Sequence, residues 1–499
     1  MASQNPVAQI IAHAEAQPEQ VALFSNRMQM SYATFLDTVK RVAAKLRGAG
    51  VRPGNVVGLK LDPEIQAVFI AAVLHEAAVS FAATKNIIES YAQDIDFVIS
   101  STRDWQSTEK NLIVIDSDWL ASLASINKKV EPRLFDSQDS LALLVFSSGT
   151  TGVPKGVEFT VADVHRRTEA AANNWMPVAP FFSELGLDTV SGIQTYYYAL
   201  FNGATYFVPI NATEDVRLIS AAAIGSIKTS PAKLAELSEA AKSSGVRLDS
   251  LKQVQVAGGL LSPAVAAALA EVSNAQLIYL YGSTEAGTVT RSPYDAGDPE
   301  SVGEVVADAE VQITDSNGVA VPTGIAGELR MRTSYMARRY WRAADHLATD
   351  DLAAASVPAS IAAGFNDGWF LPGDTGVLEE GNRLRITGRV DELINAAGIK
   401  LNPALIESKL AGYRGILDLA AFGYNVPGDI HKRLGVAIVT AQEISLERFR
   451  QHVLDTVAET SDILIVRVAE IPRNALGKPL RKVLAAGLDS ISSDKAALD

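Results

Sequence analysis

The stretch LALLVFSSGTTGVPKG, at residues 141–156, decides the fold. An apolar run of strand length leads into a loop in which nearly every side chain is small, hydroxylated or absent. Glycine permits the φ/ψ values that turn successive backbone N–H groups toward one anion, and Ser and Thr hydroxyls add neutral donors. Lys155 adds a positive charge. The stretch therefore predicts a strand that ends in a phosphate-binding loop, as in enzymes that consume a nucleotide.

This loop differs from the Walker phosphate loop. The Walker motif is GxxxxGK followed by Ser or Thr, and it opens a helix. Here Gly156 follows Lys155, and five residues separate Gly149 from Lys155. The alternative interpretation is a surface turn between two strands, because turns also collect Gly, Ser and Thr.

Composition excludes several classes of function. The 499 residues suggest roughly three domain-sized units. The net charge of −13 argues against nucleic-acid binding, which relies on basic surface. Without cysteine there is no disulfide, zinc thiolate or Cys nucleophile, so the thiol in any thioester belongs to a substrate or carrier. No signal peptide or membrane span is visible, so the cytoplasm is expected.

Apolar runs alternate with amphipathic stretches, which predicts an α/β fold. Strands are predicted at 253–257 and 277–281, and they end in a Gly pair at Gly258 and in the run GSTEAG at 282–287. Because ligands of open α/β sheets lie at the carboxyl ends of strands, these loops are expected to share a site. The residues after Asp391 are predicted to form a small α+β unit.

Capping residues predict where three helices begin. Thr160 and Asp163 have the spacing of a capping box, and Ser262 followed by Pro263 is typical of a capped helix start. Asn402 is predicted to cap a third helix that begins at the next residue.

Five motifs in order along the chain resemble those of the adenylate-forming superfamily, which includes acyl-CoA synthetases, peptide-synthetase adenylation domains and luciferase-like ligases. They are SSGTTGVPKG at 147–156, YGSTE at 281–285, DGW at 367–369 followed by Gly373-Asp374, GRVDE at 388–392, and PRNALGK at 472–478. Pro372 stands where Thr is usual. The resemblance covers 141–484. It implies a large multi-sheet N-terminal domain, residues 1–390, and a small mobile α+β C-terminal domain, residues 391–499.

The resemblance also implies a reaction in two halves. A carboxylate attacks the α-phosphorus of ATP, in the presence of Mg²⁺, to give an acyl adenylate and pyrophosphate. The thiol of coenzyme A then displaces AMP. One alternative acceptor is the phosphopantetheine of a separate acyl carrier protein. An alternative of another class is a non-catalytic nucleotide-binding regulator. A small carboxylic acid is the expected partner, with neither nucleic acid nor membrane.

Residue roles follow from the same resemblance. Thr284 is expected to donate to the α-phosphate, and Glu285 to hold Mg²⁺, which prefers carboxylate oxygens. Tyr281 is expected to stack on adenine, while Asp374 and Arg389 hold the ribose, whose diol suits a carboxylate acceptor. The other expected nucleotide contacts are Ser147, Ser148, Gly149, Thr150, Thr151, Gly152, Lys155, Gly258, Gly282, Ser283 and Gly398.

Lys478 is the main catalytic residue that the resemblance implies. Its ammonium is a compact charge that meets the negative charge growing on the α-phosphate oxygens. The family hinge falls at Asp391, about which the C-terminal domain rotates between the half-reactions. That rotation exchanges the Lys478 loop for the loop around Gly398.

The acyl pocket of the family corresponds to residues 191–198, 228–231, 258–261 and 281–287. Val190 matches the position at which peptide synthetases carry Asp for an α-amino group, which disfavours an α-amino acid. Thr189 stands where many acyl-CoA synthetases carry His. The tyrosines at 196–198 are expected either to line an aryl pocket or to lie in the core. The sequence leaves the acid open between aryl and aliphatic.

Overall fold

The computed structural model describes residues 5–105, 111–147, 154–341, 364–390, 392–396, 399–426, 432–441, 443–457, 463–473 and 479–491. Its architecture is α/β, as the alternating pattern predicts. The helices are α1 (Val7–Ala16), α2 (Tyr32–Gly48), α3 (Pro63–His75), α4 (Lys85–Ser90), α5 (Ser117–Ala121), α6 (Val161–Trp175), α7 (Val190–Phe201), α8 (Ala212–Ala221), α9 (Pro231–Ser244), α10 (Pro263–Val272), α11 (Pro403–Leu410), α12 (Leu446–Thr456) and α13 (Arg481–Ile491).

The strands of the first half are β1 (Val21–Phe24), β2 (Gln29–Ser31), β3 (Val56–Lys60), β4 (Val79–Ala82), β5 (Phe97–Ser100), β6 (Asn111–Val114), β7 (Leu141–Ser147), β8 (Lys155–Thr160), β9 (Phe181–Ser183), β10 (Tyr206–Phe207), β11 (Ser226–Thr229) and β12 (Gln253–Val256). Those of the second half are β13 (Gln276–Ser283), β14 (Gly287–Pro293), β15 (Ser301–Val305), β16 (Ala309–Thr314), β17 (Gly327–Thr333), β18 (Gly364–Asn366), β19 (Trp369–Leu371), β20 (Asp374–Glu379), β21 (Arg383–Arg389), β22 (Ile394–Ala396), β23 (Ile399–Leu401), β24 (Ile416–Tyr424), β25 (Arg433–Thr440) and β26 (Ile463–Arg467).

Two large sheets position the site. The first has the strand order β6-β5-β3-β4-β7-β8 and is parallel except for the final β7–β8 pair. The second is twelve-stranded and runs β18-β19-β17-β20-β21-β15-β14-β13-β12-β11-β9, with β16 paired to β17. Its β9, β11, β12 and β13 are parallel, so their carboxyl ends meet at one edge.

Helix starts agree with the sequence signals. Thr160 and Asp163 form a reciprocal capping box at α6. Ser262 caps α10, with Pro263 as its first residue. Asn402 accepts hydrogen bonds from Ala404 and Leu405 at the start of α11. These predictions are confirmed. The sequence was sufficient to make them because capping depends only on neighbouring residues.

The C-terminal elements pack around a hydrophobic cluster of their own. Ile394, Leu410 and Phe449 are among its fully buried members, and all of its members lie after residue 393. The domain boundary between residues 390 and 391 stays a prediction. Among the helices that the structure describes, none combines the length and apolar character needed to cross a membrane.

Candidate active site

The YGSTE motif ends β13 and enters the turn that leads to β14. Ser283 pairs with Gly287 across this antiparallel hairpin, so Thr284 and Glu285 lie at its tip. A Cβ atom on Gly282 would lie 2.0 Å from the carbonyl oxygen of Gly287, so only glycine fits there. Ser283 closes the turn by accepting a hydrogen bond from the Ala286 N–H at 3.0 Å. The turn therefore holds Thr284 and Glu285 on a fixed backbone.

The stretch at 141–156 is also a hairpin. Ser147 at the end of β7 pairs with Lys155 at the start of β8, and the Ser147 hydroxyl lies 3.5 Å from the Lys155 carbonyl oxygen. The strand predicted for the apolar run is confirmed as β7, which pairs antiparallel with β8. Ser148, Gly149, Thr150, Thr151 and Gly152 lie outside the described residues.

Tyr340 connects these two hairpins. Its hydroxyl donates to Glu285 Oε1 at 2.7 Å, and the Lys155 ammonium lies 5.4 Å from the centre of its ring. The backbone beside it follows β8, because the Trp341 N–H donates to the Gly156 carbonyl at 2.7 Å. One aromatic ring thus brings together a cation of the first sheet and a carboxylate of the second.

The Glu285 carboxylate is nearly buried, with 6% of the residue exposed. Burial and the nearby Glu285 charge raise the pKa of Tyr340 far above its ordinary value, so its hydroxyl remains a donor. Among the described residues only Tyr340 bonds Glu285 Oε1, and none bonds Oε2. Carboxylate oxygens are the donors that Mg²⁺ prefers, so this residue fits a magnesium ion carried by substrate phosphates.

Arg167 of α6 holds the turn at Thr284 and Glu285 through hydrogen bonds to the backbone. Its guanidinium donates to the backbone carbonyls of Tyr335, at 2.9 Å, and of Glu285. Burial lowers the pKa of Arg167 to about 10, which leaves it charged at neutral pH. Sequence reasoning missed both Arg167 and Tyr340, because neither lies in a recognisable motif and both act over long separations along the chain.

Asp374, Arg389 and Tyr281 form a second group. Asp374 and Arg389 face each other across the β20–β21 pair, and their side chains are 3.1 Å apart. The Tyr281 hydroxyl donates to the other Asp374 oxygen. Burial, reinforced by the Asp374 charge, raises the pKa of Tyr281 well above its ordinary value. The structure therefore brings together the three residues expected to hold adenosine, and it fixes the Tyr281 ring through its hydroxyl.

Gly258 follows β12, the strand beside β13, and its φ of +91° is one that glycine adopts readily. Lys478, Gly398 and Asp391 lie outside the described residues. Arg473 and Pro479 are paired in an isolated bridge. The described residues on either side of the segment that contains Lys478 are thus paired with each other.

Residues 191–198, which are expected in the acyl pocket, lie on α7. Thr189 is the N-cap of α7 and Val190 is its first residue. Tyr196 and Tyr197 are buried in the largest core cluster, where the Tyr196 hydroxyl donates to the Ala67 carbonyl of α3, whereas Tyr198 is only half-buried. Of the two interpretations of these tyrosines, core packing therefore applies to the first two.

Known proteins resemble the chain over nearly its whole length. Oxalate–CoA ligase of Arabidopsis thaliana is 25% identical, covering 94% of this chain and 95% of its own. 2-Succinylbenzoate–CoA ligase of Listeria monocytogenes is also 25% identical, covering 94% and 96%. The fold matches that of O-succinylbenzoate coenzyme A synthetase from Bacillus subtilis in complex with ATP and magnesium ion, with a TM-score of 0.80, 20% identity, and 95% and 98% of the two chains covered.

A family model supplies the assignment. The model described as AMP-binding enzyme matches residues 10–341, which include both hairpins and the Tyr340 connection between them. That span is well over half of the chain. The chain belongs to the family of AMP-binding enzymes.

Proposed function

We propose that this protein is an ATP- and Mg²⁺-dependent ligase that activates a carboxylic acid as its acyl adenylate and transfers the acyl group to coenzyme A. The observation that supports the proposal is the Tyr340 connection, which holds the Lys155 ammonium and the Glu285 carboxylate beside one turn. These are the charges that would meet the phosphates and Mg²⁺. The relatives at 25% identity that are named CoA ligases support coenzyme A as the acceptor.

The nucleotide would be held at both ends. Asp374 and Arg389 would bind the ribose hydroxyls, and the Tyr281 ring beside them would contact the base. Lys155 would neutralise phosphate charge at the hairpin of the first sheet. Glu285 would hold the Mg²⁺ that accompanies the phosphates, and the metal would supply charge neutralisation there. The Tyr340 hydroxyl orients the Glu285 carboxylate.

The first half-reaction needs no strong base, since the acid is already ionised at neutral pH. A carboxylate oxygen forms a bond to the α-phosphorus, and the bond from that phosphorus to the pyrophosphate oxygen breaks. Thr284 would donate to the α-phosphate, and Lys478 would meet the charge that grows on it. Catalysis is then positioning plus charge neutralisation, of which positioning can supply up to ~7–11 kcal/mol.

In the second half-reaction, the sulfur of coenzyme A bonds to the acyl carbon, AMP leaves with the electron pair, and the thiol proton passes to solvent. We propose that residues 391–499 move as a domain between the halves, about Asp391. Their separate hydrophobic cluster supports this division. The loop around Gly398 would then take the place of the Lys478 loop.

ATP–pyrophosphate exchange over a panel of acids tests the proposal. We expect exchange with at least one acid, and consumption of coenzyme A when it is added. ATP–pyrophosphate exchange without consumption of coenzyme A would favour a carrier protein as the acyl acceptor. ATP binding without exchange for any acid would favour a regulator and refute the ligase.

The Lys478→Ala variant tests the two-step assignment. We expect it to lose adenylation but to keep thioester formation from a preformed acyl adenylate, because Lys478 acts only on the first step. Equal loss of both half-reactions would contradict the assignment.

A further inference from the structure

Tyr91 is a buried tyrosine that lies outside all five sequence motifs. It follows α4, between β4 and β5 of the first sheet, and only 4% of it is exposed. Its hydroxyl donates to the Pro154 carbonyl at 2.7 Å, across 63 positions of the chain. Pro154 is the residue immediately before Lys155, the first residue of β8. The hydrogen bond therefore holds the hairpin at 141–156 at the point where its second strand begins.

The hydroxyl of Tyr91 supplies a hydrogen bond at a proline. Pro154 has no backbone N–H, so its carbonyl is the only backbone group through which it can be held. Burial raises the pKa of Tyr91, so its hydroxyl remains a donor at neutral pH. The backbone just before β8 is thus fixed by a side chain from another part of the first sheet.

Two aromatic rings hold the Tyr91 ring in place. The Trp341 ring is stacked on it, with centroids 5.1 Å apart and planes inclined at 23°, and the Phe146 ring packs edge-on to it at 5.3 Å. Both distances are typical of favourable aromatic pairs. Phe146 lies on β7, and the Trp341 N–H donates to the Gly156 carbonyl at 2.7 Å. The three rings therefore pack against both strands of the hairpin.

Lys155 is the cation whose position this arrangement sets. The residues on both sides of it are held, one by the Tyr91 hydroxyl and the other by the Trp341 N–H. Its ammonium lies 5.4 Å from the centre of the Tyr340 ring, and no carboxylate of the described residues forms an ion pair with it. A lysine side chain has many rotamers, so the direction of its stem depends on the backbone from which it leaves.

Packing alone does not account for the Tyr91 hydroxyl. A phenylalanine ring would fill the space between Trp341 and Phe146, and it would not require the burial of a polar group. Burying a hydroxyl is costly unless it forms a hydrogen bond. The acceptor that compensates this cost belongs to the hairpin and not to α4 or its neighbouring strands. The ring therefore serves packing, whereas the hydroxyl acts on the hairpin.

We propose that Tyr91 is a positioning residue for the first half-reaction, because it holds the backbone at Pro154 so that Lys155 meets the phosphates that leave as pyrophosphate. This inference rests on the proposed function. Tyr91 acts through the hairpin and contacts neither the substrate nor the metal. Binding of ATP and of pyrophosphate should depend on its hydroxyl, whereas binding of AMP, which lacks the leaving phosphates, should not.

The Tyr91→Phe variant tests this proposal, because it keeps the ring and loses only the hydroxyl. Initial rates of ATP–pyrophosphate exchange are measured against the concentrations of ATP and of pyrophosphate. We expect both KM values to rise about two- to tenfold, the size of one neutral hydrogen bond, while kcat is nearly unchanged. Affinity for AMP and thioester formation from a preformed acyl adenylate should stay at their wild-type values, since neither involves the leaving phosphates.

The matched control is Tyr32→Phe. It loses a hydrogen bond of the same kind, from a tyrosine hydroxyl to the Ala204 carbonyl at 2.8 Å, at a site away from the hairpin. Its KM values for ATP and pyrophosphate should equal those of the wild-type chain. Unchanged KM values in Tyr91→Phe would overturn the proposal. An equal loss of thioester formation in Tyr91→Phe would also overturn it, because that result would show a general structural role.

Calorimetry separates this proposal from the proposed function. Absence of exchange by the wild-type chain with every acid would refute the ligase activity. Weaker binding of ATP, but not of AMP, to Tyr91→Phe would still support the positioning of Lys155 by Tyr91. Equal affinity of the variant and the wild-type chain for ATP would refute it.

Discussion

Replacing Tyr340 by Phe removes the hydroxyl that, among the described residues, bonds the Glu285 carboxylate. The ring would remain, along with its contact with Phe365 at 5.2 Å and its position 5.4 Å from the Lys155 ammonium. Only the 2.7 Å hydrogen bond to Glu285 would be lost. The substitution therefore separates orientation of the carboxylate from packing at the junction of the two hairpins.

The expected size of the effect follows from the charge on the acceptor. A hydrogen bond to a charged group contributes about 1.5–3 kcal/mol, against ~0.5–1.5 kcal/mol for a neutral one. If that energy fixes Glu285 in the orientation that binds Mg²⁺, its loss lowers kcat/KM for MgATP by roughly 10- to 150-fold. Affinity for AMP should stay unchanged, because Asp374 and Arg389 are untouched.

The assay is ATP–pyrophosphate exchange as a function of free Mg²⁺, at subsaturating ATP and saturating acid, so that the rate reports kcat/KM for MgATP. We expect Tyr340→Phe to require more Mg²⁺ than the wild-type chain. Tyr294→Phe is the matched control, since it loses a 2.9 Å hydrogen bond to the Leu261 carbonyl, away from Glu285. An unchanged Mg²⁺ dependence in Tyr340→Phe would refute the orienting role.

Three further predictions concern other parts of the fold. Asp374→Asn should weaken AMP binding by about tenfold or more, because it removes the charge from the ribose acceptor; equal affinity by calorimetry would contradict this. Gly282→Ala should lower Tm, since its Cβ would lie 2.0 Å from the Gly287 oxygen, whereas Gly48→Ala has nothing within 4 Å and should be neutral or stabilising. Burial raises the pKa of Glu184 to about 8, above the ordinary 4.5, so between these values the folded state keeps a proton that the unfolded state releases. Stability should therefore fall with rising pH, by up to about 1.4 kcal/mol per pH unit, and Glu184→Gln should reduce this slope; parallel Tm profiles from about pH 6 to about pH 8.5 would refute the assignment.

The sequence predicts best what depends on neighbouring residues. The hairpin at 141–156 follows from an apolar run, a loop of small residues and a second short strand. The turn at Gly282 follows from glycine chemistry. Tyr340 could not be found this way. It contacts Glu285, 55 positions earlier in the chain and beside the second sheet, and it also contacts Lys155 at the start of β8 in the first sheet. Such contacts depend on which strands become neighbours, and local patterns carry no information on that.

Lys228 shows the same limit in another form. The resemblance places residues 228–231 beside the acyl pocket, and strand alternation places Lys228 on the face opposite Ile227. Neither observation indicates that Lys228 is buried. The Trp175 ring at the end of α6 covers it, with the ring centre 3.5 Å from the Lys228 ammonium, and only 2% of Lys228 is exposed. A lysine in a short strand ordinarily points to solvent, and here its burial is known only from the three-dimensional structure.

Helix α6 links these observations. Its capping box fixes the start of the helix at Thr160, and so fixes which residues share a face. Arg167, Asn174 and Trp175 recur at helical spacing on the side that meets the second sheet. They donate, respectively, to the Glu285 carbonyl, the Tyr335 hydroxyl and the Thr288 hydroxyl. A local signal thus sets the register of the helix that supports the turn at Thr284 and Glu285 and that places the Trp175 ring against the Lys228 ammonium.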